Sequence, residues 1–215
     1  MSVRVAPPLT FDRVLPSLEL EAGARIDPHR VRGWFWGSDG DAASLASGSG
    51  LDPDVKTVLL VHPLTSDASA GGEGGYWDQL LGTGRALRPW ATRILSFNLL
   101  GSCFGTSGPA DDEFPSRAND THFPPPVPLT RGDLHEDEHT LPATVTPWDQ
   151  ARSILSALEL LGVRKVELVL GGSLGGMVVQ CLVMLAPRSF PRAKTRDLKN
   201  MIAGQAKDKK PGLSP

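Results

Sequence analysis

The sequence predicts an α/β fold in which a mostly parallel sheet carries helices on both faces. Three observations point there. "TVLLVHPLT" (Thr57–Thr65), "TRILSFNLLG" (Thr92–Gly101) and "KVELVLGG" (Lys165–Gly172) are continuous apolar runs, which suit strands buried on both sides. Helical patterns at Pro147–Leu161 and Leu174–Ala186 flank the third run. Strands alternating with helices favour parallel pairing, because a parallel neighbour needs a crossover connection.

Taken in order, "LELEAG" (Leu18–Gly23) and "VRGWFWG" (Val31–Gly37) read as two short strands, the second with alternating aromatics. "GSDGDAASLASGSGLDPD" (Gly37–Asp54) reads as a polar, flexible connection. The first buried strand is followed by the glycine-rich "SAGGEGGYWDQLLG", and the second ends in the loop "SCFGTSGP". Residues Asp111–Val145 form a long segment rich in proline and charge, a length that marks functional or disordered loops. The helix at Pro147–Leu161 is the best marked. Thr146 suits the N-cap, Pro147 the first turn, and Asp149 the positive end of the dipole. Ala151, Ile154, Leu155, Leu158 and Leu161 share one apolar face, and Gly162 ends the helix.

The chain has 215 residues, 40% hydrophobic and 21% charged, and a formal net charge of −2. These values fit one ordinary globular core and give no bulk reason to expect nucleic acid or an acidic membrane. The average hides an asymmetry. From Arg188 onward there are eight Lys/Arg against two Asp/Glu (+6), while residues 1–187 carry 14 against 22 (−8). We therefore expect a basic, nearly strandless tail over 188–215, atypical or disordered, after a body spanning 1–187. The N-terminus lacks an apolar signal region, no run is long enough to span a bilayer, and Cys103 and Cys181 make no disulfide framework. The expected compartment is the cytoplasm.

Gly171-Gly172-Ser173-Leu174-Gly175 fits G-x-S-x-G, directly after a buried strand and at the start of a helix. A serine held on so sharp a turn projects its oxygen above the sheet, and flanking glycines let the neighbouring backbone pass. The helix start offers free N–H groups to a developing oxyanion. Ser173 is the candidate nucleophile, and the backbone N–H groups of Leu174 and Leu64 are the candidate oxyanion donors.

With those residues in view, the chain resembles the homoserine O-acetyltransferase family, acyltransferases on the α/β-hydrolase fold, from about Leu18 to Pro187. "VLLVHPLTSDASA" looks like the family's "H-A-L-T-G/S-D/S-x-H" segment, and "GGYWDQLLGTGRAL" like its "W-W-D-x-L-x-G-x-G-K-A-x". "ILSFNLLGSCFGTSGP" is similar to "V-I-C-x-N-x-L-G-G-C-x-G-S-T-G-P". "TVTPWDQARSILSALELLGV" is similar to "T-I-R-D-x-V-R-A-Q-x-x-L-L-D-x-L-G-I", and "VLGGSLGGM" to the nucleophile elbow. Pro63, Tyr76 and Trp148 stand where the family has Ala, Trp and Arg. The resemblance implies ping-pong acyl transfer in methionine biosynthesis. Ser173 would take an acetyl group from acetyl-CoA, which is a substrate and not a bound cofactor, and homoserine would receive it. It also implies that Asn98, Gly101 and Gly105 shape the substrate pocket, that no metal is needed, and that the full-length family forms homodimers.

The family's chain order is serine, acid, histidine, yet after Ser173 this sequence has only Asp197 and Asp208 and no histidine. The expectation is an incomplete chain, inactive alone. The alternatives are a serine esterase of the same fold, or a non-catalytic relic that partners an intact homologue. "HEDEH" (His135–His139) matches the H-E-x-x-H zinc pattern but has no apolar helix stripe around it, so a solvated loop is the reading preferred. "RGD" (Arg131–Asp133) and the glycines of "GGEGG" carry no further function.

Overall fold

The computed structural model describes residues 8–71, 75–82, 84–89, 91–108, 111 and 145–191, together with the backbone of 193–196. His122, the His135–His139 pattern, the RGD tripeptide, Asp197 and Asp208 lie outside these residues. The elements in chain order are β1 (Leu9–Leu15), β2 (Leu18–Glu19), β3 (Arg25–Ile26), β4 (His29–Trp36), α1 (Asp39–Ser47), β5 (Thr57–Val61), β6 (Arg93–Phe97), α2 (Pro147–Leu160), β7 (Leu168–Gly172), α3 (Leu174–Leu185) and β8 (Ala193–Arg196).

One six-stranded sheet has the order β1-β4-β6-β5-β7-β8, and β2 pairs with β3 in a separate ribbon. β6, β5, β7 and β8 run parallel, with Leu59 opposite both Leu95 and Val169, while β4 joins β6 antiparallel and β1 joins β4 antiparallel. All five residues of β5 and of β6 are buried, as their unbroken apolar runs require. Leu59, Leu95, Phe97 and Val169 face a core shared with Leu45 of α1, Ile154 and Leu158 of α2, and Val178 and Leu182 of α3. On the opposite face Val58, Leu60 and Ile94 pack against Trp36 of β4 and against Trp77, Leu81 and Leu87, the last three from outside the named helices and strands.

Several expectations are corrected. The Gly37–Asp54 connection contains α1. Ser38 caps it by accepting from the Asp41 N–H at 3.2 Å, and Gly48 ends it in the left-handed region. Only Asp41 and Leu45 of this helix are buried, so no apolar stripe betrayed it. β1 was not anticipated either. The strands read at Leu18 and Val31 are not partners of one another, since β2 pairs with β3 and β4 with β1. After Pro187 the described backbone adds one short strand, β8, parallel to β7 with Ala193 opposite Val169. The outer edge of β7 presents unpaired peptide groups that any extended segment can satisfy, whatever its charge.

Candidate active site

The site is built where β7 stops. One residue, Ser173, separates the last strand position, Gly172, from the first helical position, Leu174, and the chain must reverse within it. Ser173 therefore adopts φ 53°, ψ −122°, the one positive φ of a non-glycine residue among those described. Its carbonyl accepts from Gly176 N–H at 2.8 Å and Met177 N–H at 3.3 Å, while its hydroxyl makes no capping bond and the residue is exposed. The side chain is thus presented to the outside and is not committed to its own helix.

The glycines of the motif are explained by crowding. A Cβ on Gly171 would overlap the carbonyl of Gly175, and one on Gly175 would overlap the carbonyls of Val61 and His62 at the end of β5. The start of α3 is pressed against the central strand, and only bare backbone fits between. At Gly172 a Cβ would lie 2.5 Å from the Tyr76 hydroxyl, so the ring of Tyr76 backs the elbow.

β5 delivers the second loop. His62 is buried, its Nδ1–H donates to Pro63 O at 2.8 Å, and its Nε2 accepts from Leu99 N–H at 3.2 Å. The Leu99 amide can only donate, which fixes the tautomer. Burial pushes the His62 pKa below its ordinary value, outweighing the opposing influences of Pro63 and Asp67. His62 thus ties the loop after β5 to the loop after β6 and has no free nitrogen. The Leu64 side chain is 74% exposed at the rim of the site.

Asn98, at the end of β6, is buried. Its Oδ1 accepts from Ala68 N–H at 2.7 Å and its Nδ2 donates to Phe104 O at 2.8 Å, so the amide positions two loops. Gln150, in the first turn of α2, was missed in the sequence. Its Oε1 accepts from Leu100 N–H at 2.7 Å and its Nε2 donates to Leu100 O at 2.9 Å. Asp149 beside it completes a capping box with Thr146, and also accepts from Glu21 N–H and Arg152.

These loops enclose a cavity of about 400 Å³ whose walls include Leu64, Leu99, Leu100, Gly101, Phe104 and Leu174. It lies past the carboxyl ends of parallel strands, where open α/β sheets bind ligands. The structure brings Leu64, Leu174 and Gly101 to this cavity, and Ser173 directly precedes Leu174. It does not bring Gly105, which faces a separate depression where the Arg32 guanidinium packs on its backbone. A larger cavity, about 520 Å³, sits near Leu158, Val163 and Phe190 at the other end of β7. Among the described residues no cluster of His, Cys, Asp or Glu could hold a metal ion, and no helix is long and apolar enough to cross a membrane.

A strand, a serine at a positive φ and a helix pressed onto the central strand make the strand–turn–helix context that the G-x-S-x-G pattern occupies on a parallel sheet. The family model described as alpha/beta hydrolase fold matches residues 56–197, and the chain belongs to that family. The match runs past Pro187, through β8. Among curated relatives, the chain is 36% identical over 132 residues to homoserine O-acetyltransferase of Methanocorpusculum labreanum, covering 58% of this chain and 23% of that one. It is 37% identical over 135 residues to that of Thermus thermophilus, covering 62% and 30%. These are the relatives the motifs led us to expect. Solved structures show the same fold. Homoserine O-acetyltransferase from Bacillus anthracis superposes with a TM-score of 0.62 at 20% identity, covering 87% of this chain and 46% of that one. Esterase E22 gives 0.59 at 19%, covering 88% and 47%. The chain spans about a quarter to a third of the length of the curated relatives it matches, and just under half of the solved chains.

Proposed function

We propose that this chain carries the nucleophile half of an acyltransferase of the homoserine O-acetyltransferase type. The observation that carries the reading is the exposed Ser173 at a positive φ between β7 and α3, one residue before Leu174, which lines a loop-walled cavity. The names of the curated relatives supply the acyl group and the acceptor. In this reading Ser173 Oγ attacks the thioester carbonyl of acetyl-CoA. The N–H groups of Leu64 and Leu174 donate to the oxyanion, and Leu174 sits in the first helical turn, where amides lack an intrahelical acceptor. The C–S bond breaks, CoA leaves as the thiol, and the serine proton passes through a general base to the sulfur. The homoserine hydroxyl then attacks the acyl-serine, releasing O-acetylhomoserine, a methionine precursor, and restoring Ser173. Gly101 lines the substrate side, Asn98 positions the loops, and Gly105 acts only through the loop it turns.

Neither described histidine can be that base. His62 has both nitrogens engaged, and His29 is buried with Nε2 2.8 Å from Ser153 Oγ. Acylation without a general base is slow: serine proteases stripped of their triad keep a residual acceleration of roughly 10³–10⁴ over water from the oxyanion hole and binding.

The test is to incubate the chain with acetyl-CoA, with and without homoserine, and to measure CoA thiol and O-acetylhomoserine. Thiol release that depends on homoserine and is lost in Ser173→Ala supports the reading. Release of free acetate indifferent to homoserine makes the protein an esterase, and a Ser173→Ala variant equal to the parent removes the nucleophile.

A further inference from the structure

Building on that reading of Ser173, we infer that Gln150 is a positioning residue for the oxyanion donor Leu64, which it reaches through Leu100, Leu99, His62 and Pro63. The relay starts from a fixed platform. Pro147 opens α2, Thr146 and Asp149 form its capping box, and Asp149 also accepts from Glu21 N–H at 2.9 Å and from Arg152 at 2.7 Å. Gln150 follows directly and is buried. An amide side chain carries an acceptor and a donor side by side. Gln150 spends both on one residue, since Oε1 accepts from Leu100 N–H at 2.7 Å and Nε2 donates to Leu100 O at 2.9 Å. The Leu100 side chain is buried in one cluster with Leu18 of β2 and Ile26 of β3, so this residue is held by packing as well.

From Leu100 the path runs to the loop after β5. The adjacent Leu99 N–H donates to His62 Nε2 at 3.2 Å, and His62 Nδ1–H donates to Pro63 O at 2.8 Å. Pro63 O also accepts from Ser66 N–H at 3.2 Å, closing a turn that contains Leu64. The Leu64 N–H itself has no hydrogen-bond acceptor among the described residues, which leaves it open to a ligand oxygen. The Leu64 side chain is too exposed to anchor the residue by packing, so the bonds on either side fix its amide. A displacement of Leu100 therefore passes through His62 to the Leu64 N–H. Leu174, at the start of α3, lies outside this path.

The experiment compares the full chain with Gln150→Glu, whose carboxyl keeps the shape of the amide. Protonated, it accepts from Leu100 N–H and donates to Leu100 O as the glutamine does. Ionised, it cannot donate and repels that oxygen. Burial raises a carboxyl pKa, which brings the change into an accessible pH range. Both proteins are treated with p-nitrophenyl acetate. Ser173 Oγ bonds to the carbonyl carbon, p-nitrophenolate leaves and the serine proton passes to solvent. The acetyl mass gained by the Ser173 peptide gives the rate. Removing one oxyanion donor costs roughly 10²–10³ in rate, and displacing one costs part of that. At about pH 8 the variant should be slower than the parent by at least about tenfold, closing to about twofold near pH 5.5. His62, Asp149 and Arg152 are common to both proteins and cancel in the ratio. A ratio near one at pH 8, or the same deficit at every pH, overturns the proposal. Ser153→Ala, one turn further along α2, should lower the urea midpoint through its lost bond to His29 while the acylation rate holds. An equal loss of rate there makes the effect one of stability and overturns the proposal. A second measurement does not need the nucleophile. In Gln150→Glu the amide resonances of Leu100, Leu99 and Leu64 should titrate with one midpoint while Leu174 stays unmoved. A Leu64 resonance that does not follow Leu100 overturns the relay. If it follows, and Ser173 is acylated in neither protein, the nucleophile reading fails and the relay stands.

Discussion

At the scale of single residues, the site rests on places where a side chain has no room. Gly175 lets α3 approach the end of β5, and Gly171 lets the same helix approach its own strand. Gly175→Ala must push the helix start away from Val61 and His62, which we expect to cost about 1–3 kcal/mol, as overpacking does. The urea midpoint measures it, and Ser173 acylation should fall with it, because the Leu174 N–H moves too. His62 makes the opposite kind of contribution, a pair of bonds across two loops. His62→Ala leaves the Leu99 N–H without its side-chain acceptor, a loss of about 1–3 kcal/mol for a buried donor. An unchanged midpoint in that variant would show that the loops do not depend on the histidine. The elbow was legible in the sequence because its glycines, serine and flanking apolar runs are contiguous. The clamps were not, since Asn98 reaches Ala68 and Gln150 reaches Leu100 across segments that no local pattern links.

At the scale of elements, α1 shows how a helix escapes notice. It buries only two positions and is fastened by charge. Arg93, fully buried on β6, donates through Nε and Nη2 to Asp41 at 3.3 and 3.2 Å, and through Nη2 to Asp52 O at 2.8 Å. Such a pair gains little over a hydrophobic replacement, but removing one partner strands the other. Asp41→Ala should therefore destabilise by about 3–5 kcal/mol, against about 1 kcal/mol for Ser38→Ala at the cap. Equal losses in chemical denaturation would mean that the ion pair is not what holds α1. α2 was read almost to the residue from Thr146, Pro147 and its apolar face, because caps and periodicity agreed there. β8 was missed for the converse reason. A short basic segment has no strand signature of its own, and the open edge of β7 supplies the reason for it to extend.

At the scale of the whole molecule, two histidines make folding depend on pH. His29, the first residue of β4, reaches Pro16 O and Ser153 Oγ of α2, and His62 lies between the two site loops. Burial lowers both pKa values from 6.5. Above about pH 6.5 both are neutral in the folded and unfolded chains and contribute no slope. Below it the unfolded chain binds protons that the folded chain does not, so stability falls as pH falls toward the folded pKa values. Urea midpoints measured from pH 7.5 down to 5 should decline, and His29→Gln should remove about half of that decline. A flat profile would mean that the histidines protonate in place. The sheet order, with β6 and β5 at its centre and β7 beside β5, places the elbow and both loops past the same end of the parallel strands.

The most direct measurement is peptide mass spectrometry of the chain after long exposure to p-nitrophenyl acetate, with Ser173→Ala alongside. If Ser173 is the nucleophile, one acetyl group accumulates on the peptide containing it and is absent from the variant. Acetyl spread over lysines, Cys103 and Tyr76, with none favouring Ser173, would contradict the claim that this turn was built to present a nucleophile.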